Sequence, residues 1–255
     1  MRRVIHDWGP PLALLALVLA AWEAAARLGW VEDYLLPAPT EVARALVEDR
    51  DVLFADAWVT AQEVLLGFGL ALAAGVGVAV LLHLSPMLRR ALYPIVVASQ
   101  AVPVIVIAPI LVIWFGFGMG PKLMVIALIC FFPITVNTLD GLRAVDRDQI
   151  RMLRTLGAGR WDTFRRLELP SALPYLFSGA KIAVAVAVIG AVFGELVGSD
   201  AGLGHVIQVG TAQLLTARVF AAVLLLAAMA IALFALVAAI ERRAVPWAHG
   251  ERTRG

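Results

Sequence analysis

The feature that most constrains this chain is a series of six apolar runs, Pro11–Ala26, Val64–Leu84, Ile95–Phe117, Leu123–Leu139, Ile182–Val197 and Val219–Ile240. Each is close to the length of one bilayer crossing, since a helix needs about 20 apolar residues to span a hydrocarbon core of roughly 30 Å. Hydrophobic residues make up 62% of the chain and charged residues 16%, against roughly 45–50% and 25% in soluble domains. Lipid is therefore the solvent these runs are built for. The expected fold is all-α: a polytopic membrane protein with about six transmembrane helices, near 10–28, 61–84, 94–117, 121–140, 178–198 and 216–240, and a long connection over 141–177. One membrane domain over 1–255 accounts for the whole length.

The first run follows Arg2 and Arg3, and Ala24-Ala25-Ala26 resembles a cleavage site. It carries Trp22 and Glu23 near its end and exceeds the roughly 7–15 residues of a signal core, so a retained helix is favoured over a signal peptide. The segment Trp30–Thr60 is acidic, and a helix is expected from Thr40, whose hydroxyl would cap it and whose Val42, Ala45 and Leu46 share a face. Pro103 and Pro109 interrupt the third run and predict a kink, because proline lacks an amide donor and clashes with the preceding turn. Gly67, Gly69, Gly75 and Gly77 permit close helix contact in the second run. The single cysteine, Cys130, cannot form an intrachain disulfide and reads as a small buried residue.

Charge placement gives an orientation. Arg2, Arg3, Arg89, Arg90, Arg242 and Arg243, with the arginines between 143 and 166, fall on one side if both termini share it, and they form most of the 21 basic residues. The positive-inside rule then puts both termini in the cytoplasm and the acidic first loop outside. Clustered arginine here indicates orientation and lipid contact, not nucleic-acid binding.

The longest connection on the basic side is not a polar linker. Ile150, Leu153 and Leu156, and then Trp161, Phe164 and Leu167, recur at spacings of three, which predicts two short amphipathic helices about Gly157-Ala158-Gly159. Pro170 is expected to end the second, and Pro174 to stand where the next membrane helix begins. Periodicity alone fits equally well a helix pair lying on the membrane surface with its arginines at the lipid headgroups.

Gly157, nine residues, Leu167, one residue and Leu169-Pro170 resemble the loop signature of permease subunits of binding-protein-dependent ATP-driven (ABC) importers. That pattern is Glu-Ala-Ala, three residues, Gly, nine residues, Ile, one residue, Leu-Pro. Arg151, Met152 and Leu153 stand where the family has Glu-Ala-Ala, and Arg151 inverts a charge at an expected protein contact. LLPAPTEV (35–42), APILVIWFGFG (108–118), FFPITVNTLDGLRAVD (131–146) and GELVGSDAGLG (194–204) are similar to the branch that imports nitrate, sulfonates, taurine, riboflavin and pyrimidine precursors. The resemblance implies that Arg151, Arg154, Thr155, Leu156, Gly157, Ala158, Leu167, Leu169 and Pro170 belong to a coupling loop that docks on a separate ATPase. It implies a homodimer of permeases, two cytoplasmic ATPase subunits carrying ATP and Mg, and an external solute-binding protein. It also implies a small organic cargo, a pyrimidine precursor or flavin-like molecule being favoured over alkylsulfonate, taurine or nitrate.

The chain itself offers no energy source, because Lys122 and Lys181 lie in GPKL and GAKI rather than in a phosphate-binding loop. No paired catalytic residues and no metal-ligand spacing stand out, so a transport subunit is expected rather than an enzyme, with no cofactor of its own. Polar residues inside apolar runs mark a pathway or a helix contact; Gln100, Asn137 and Glu195 are the translocation-path candidates. Glu195 is placed near the outer end of its helix, reaching either solute or interfacial water. Lys181 and Glu63 are expected to snorkel to opposite interfaces. The alternative is an ATP-independent transporter or channel, which would show an inverted repeat or a coupling-ion site.

Overall fold

The computed structural model describes residues 2–32 and 34–249, and among these the regular structure is helical. The order is α1 (Arg2–Arg27), α2 (Pro39–Glu48), α3 (Arg50–Leu84), α4 (Pro86–Ala98), α5 (Val104–Phe115), α6 (Met119–Arg143), α7 (Arg147–Thr155), α8 (Arg160–Thr163), α9 (Leu169–Gly198), α10 (Leu203–Ala212) and α11 (Thr216–Ala244). α3, α6, the α8–α9 rod and α11 are long and apolar enough to cross a membrane, and the bent pair α4–α5 makes a fifth crossing if it is one span. α1 carries the first of the six apolar runs. The all-α, multi-pass architecture expected from the hydropathy pattern is the one observed.

The chain forms two compact units, residues 1–59 with 201–226, and residues 60–200 with 227–255. In the first, α2 begins at Pro39, one residue before the expected start, because proline suits the first helical turn. Thr40 does not cap it. The Thr40 hydroxyl and amide both donate to Glu23 at the end of α1, while Glu41 reaches back to the amide of Ala38. Val42 and Ala45 are buried as the periodicity required. Arg218 grips Asp49 through two hydrogen bonds of 2.6 and 2.8 Å. The GSDAGLG stretch opens an unforeseen helix: Asp56 accepts from the amide of Gly202 at 2.7 Å, supplying an acceptor at the start of α10.

The second unit is organised around α6 and α9, which run antiparallel in close contact. A side chain added at Gly179 would meet the Pro133 carbonyl at 2.6 Å, and one added at Gly190 would meet Ile126. Residues 67–75 of α3 lie parallel to α6, with Gly67 against Ile126 and Gly75 against Ile134, whereas Gly69 and Gly77 face open space. Only one of the two glycine rows in that run is therefore a packing row. Cys130 is buried in this core, its thiol donating to the Ala183 carbonyl.

Two proline expectations are corrected. The third run does not kink at Pro103 and Pro109 but breaks: α4 ends in a 3-10 turn (Ser99–Ala101), Val102 is extended at φ −87° and ψ 119°, and α5 departs at a 100° bend with Pro103 as its N-cap. Val102 is extended because a residue before proline is pushed out of the helical region. Pro109 sits inside α5. Pro170 does not end the second loop helix either. A π-helical turn, Phe164–Glu168, joins α8 to α9, and the Leu169 amide bonds to the Phe164 carbonyl five residues back. The widened turn takes up the register that proline disturbs, so Pro170 lies in the first turn of α9 and Pro174 lies within it.

Replacing Gly179 with leucine drives a side chain into the backbone of α6, which cannot yield as a flexible side chain would. The expected loss is about 1–3 kcal/mol, typical of overpacking, read as a lowered Tm of the detergent-purified protein. Gly69→Ala, which meets nothing within 4 Å, should leave Tm unchanged or raise it. Equal Tm values for both variants would contradict the α6–α9 contact.

Candidate functional site

Three features gather the polar and signature residues, all within the second unit. The first is the loop over 141–177. Asp146 caps α7 by accepting from the Asp148 amide at 2.9 Å. The helix ends in a Schellman turn, in which Gly157 donates to the Arg154 carbonyl and Ala158 to the Leu153 carbonyl, both at 3.0 Å. Gly157 occupies the left-handed position at φ +88°. A residue with a Cβ pays about 1–2 kcal/mol there, so the signature glycine has a conformational reason to be glycine.

Beyond the turn the loop is fastened to the end of α3. The Arg160 guanidinium donates to the Leu84 carbonyl, and His83 Nε2 lies 2.9 Å from Glu168 Oε2. Phe164 is buried with Leu142 and Ala172, with Val80, Leu84 and Leu169 packed around them. Trp161 stacks on Phe164 with ring centroids 5.4 Å apart. A cleft of about 340 Å³ opens between His83, Arg154, Arg160 and Glu168. Among the described residues Arg151 pairs only with Asp148 of its own helix, and it is exposed. The Thr155 hydroxyl donates to the Met152 carbonyl, and Leu167 and Pro170 are half-buried. Met152, Leu156 and Trp161 are 65%, 73% and 65% exposed, an apolar surface left uncovered by the described residues.

The second feature is a buried polar cluster at the opposite end of the same helices. Lys122 donates to Glu63 Oε1 and to the Ser199 hydroxyl, each at 2.6 Å, and the Thr60 hydroxyl donates to Glu195 Oε1 at 2.6 Å. Glu63 and Glu195 are 1% and 0% exposed. Glu63 therefore does not snorkel; its second oxygen is buried and makes no hydrogen bond among the described residues. Lys181 does not stand alone either, since it pairs with Glu241 at 2.7 Å. These pairings escaped the sequence because each run shows a single isolated charge, and only the packing of α3, α6 and α9 brings Glu63, Lys122 and Ser199 together.

The third is the helix break. Gln100 lies at its apex and lines a cavity of about 330 Å³ with Ser99, Val102 and Phe131. Asn137 is elsewhere, on α6, where its side-chain amide donates to the Pro133 carbonyl at 2.7 Å and its Cβ faces Gly179. The three path candidates thus occupy three different places: an open cavity, a helix contact and a buried cluster.

The sequence profile described as "Binding-protein-dependent transport system inner membrane component" matches residues 67–246. The formylaminopyrimidine transport permease protein ThiX of Halalkalibacterium halodurans is 36% identical, over 97% of this chain and 98% of its own. The riboflavin transport system permease protein RibX of Chloroflexus aurantiacus is also 36% identical, over 94% of this chain and 90% of its own. The taurine transport system permease protein TauC of Escherichia coli is 31% identical over 94% and 90%. Among solved structures, an inward-facing MetNI methionine ABC transporter chain superimposes with a TM-score of 0.67 at 22% identity, covering 76% of this chain and 96% of its own.

Lys122→Met leaves the Glu63 carboxylate buried without its counter-charge, and breaking such a pair costs about 3–5 kcal/mol. A clear drop in the Tm of the detergent-purified protein is expected. The double variant Glu63→Met/Lys122→Met should regain most of it, because two apolar side chains replace the pair. A double variant no more stable than the single would show that the pair is not what the single variant disrupts.

Proposed function

The chain belongs to the inner-membrane components of binding-protein-dependent transport systems, in the ABC-importer branch that includes the formylaminopyrimidine, sulfonate and taurine permeases, and from that premise we propose that it moves a small organic solute inward by docking a separate ATPase on its 141–177 loop. The observation that carries this is the uncovered Met152–Leu156–Trp161 surface on a loop that is itself locked to α3. A surface meant for lipid alone would not need a rigid anchor through Phe164, His83 and Arg160. A surface that receives force does, because only a fixed contact passes a displacement on to the helices behind it.

In this reading both termini and the loop face the cytoplasm, which the arginine distribution supports. Two copies of the permease form the pathway, two ATPase subunits bind and hydrolyse ATP with Mg, and an external binding protein delivers the solute. Arg151, which replaces the family's acidic residue, meets an acidic side chain on the ATPase and leaves its weak surface pair with Asp148 to do so. A pyrimidine precursor or flavin-like cargo is favoured by the formylaminopyrimidine and riboflavin permeases among the relatives, with sulfonate, taurine or nitrate as alternatives.

The test is co-purification of the tagged chain in mild detergent from its native host, comparing wild type with Leu156→Asp and Met152→Asp. These side chains point away from the permease core, so the variants should keep the wild-type Tm yet lose the ATPase, at least tenfold by mass spectrometry. Gly157→Trp, which also strains the left-handed turn, should lose it too. A wild-type permease that elutes folded and without any ATPase would overturn the docking reading.

A further inference from the structure

We propose that the cavity at the break between α4 and α5 is a solute-contact site, and that it takes a neutral, planar, single-ring solute with adjacent hydrogen-bond donors and acceptors, the edge chemistry of an aminopyrimidine. This rests on the permease reading above and narrows its cargo.

The cavity is walled by Ile95, Val96, Ile107, Leu128 and Phe131, and no charged side chain lines it. Its polar groups come from the break. Among the described residues the Gln100 amide makes no hydrogen bond, and neither the amide nor the carbonyl of Val102 is paired. The Ser99 hydroxyl is already committed to the Val96 carbonyl at 2.7 Å. What remains is a primary amide and one extended residue, Val102, each offering a donor and an acceptor. Unpaired backbone at membrane depth is tolerated only where it lines a cavity or is buried in protein, and in transporters discontinuous helices of this kind contribute to solute sites.

This donor–acceptor pairing discriminates between cargo classes. A sulfonate or nitrate offers acceptors only and carries a charge. It would face the Gln100 and Val102 carbonyl oxygens with no cation in the wall, and an uncompensated ion in an apolar cavity is strongly disfavoured. An aminopyrimidine is neutral, presents an exocyclic N–H donor beside a ring-nitrogen acceptor, and can lay its face on the Phe131 ring. Size points the same way. At about 330 Å³ the cavity is near the lower end, roughly 300 Å³, of small-molecule sites, which suits one ring with short substituents better than a three-ring flavin with its polyol chain.

The complete transporter, permease with its ATPase, is placed in lipid nanodiscs and equilibrated with radiolabelled formylaminopyrimidine, with riboflavin and ethanesulfonate as competitors. Saturable pyrimidine binding that ethanesulfonate does not displace is expected. Gln100→Leu and the isosteric Gln100→Glu should each weaken it about tenfold, the scale of one lost hydrogen bond, while retaining the ATPase at wild-type stoichiometry as a check on folding. Displacement by ethanesulfonate, binding insensitive to both substitutions, or a cavity that takes only lipid and shows no saturable pyrimidine binding would each overturn the site. Absence of the ATPase from the wild-type particle would overturn the permease reading instead.

Discussion

Everything in this chain follows from the rule that backbone amides and carbonyls in a hydrocarbon layer must find partners within the protein. The rule explains why the apolar runs are helices, and it also gives meaning to the places where the helices stop being regular. Two of these places in the second unit bear on function, and neither is accidental. At 164–168 the hydrogen-bond register widens by one residue but stays closed, so the loop feeds into α9 without a gap. At 99–103 it opens, and the freed groups face a cavity. The first irregularity preserves mechanical continuity, and the second creates local chemistry.

Helices alone do not choose their neighbours in lipid, where tails are as apolar as the side chains they surround. Close approach at small residues and a few polar pairs supply the choice. Gly179 and Gly190 let α9 come against the backbone and side chains of α6, and the Glu63–Lys122–Ser199 cluster fixes which ends of α3, α6 and α9 meet. The ion pair is poor evidence of added stability, since burying both charges costs about as much as their attraction returns. Its effect is on specificity: a helix shifted by one turn would leave Glu63 or Lys122 alone in an apolar surround.

Much of this was legible in the residues. The six runs, the amphipathic face of α2 at Val42 and Ala45, and the glycine turn at 157 follow from periodicity and from the positions of glycine. Other features were hidden for identifiable reasons. Proline reports that a helix is disturbed but not how, so the break at Pro103 read as a kink and the π-turn before Pro170 as a helix end. Glu63 and Lys181 looked like snorkelling residues, because a lone charge near the end of a run carries no sign of a partner on another helix. Helix α10 was missed because Gly202 and Asp200 signal a turn, and the capping carboxylate, Asp56, lies far away in sequence.

The stretch of α3 from Glu63 to His83 joins the loop to the buried cluster. At about 1.5 Å per residue it is a rod of roughly 30 Å, long enough to cross the hydrocarbon core. One end is held by Arg160, Glu168 and Phe164 of the loop, and the other by Lys122 of α6. A helix clamped only at the loop would transmit a push as a local rotation that its apolar neighbours absorb. Clamped at both ends, it carries α6 with it, and α9 follows because Ser199 shares Lys122 and Gly179 locks against Pro133. In the proposed importer, a push delivered at Leu156 is thus passed to three helices together and not to α3 alone.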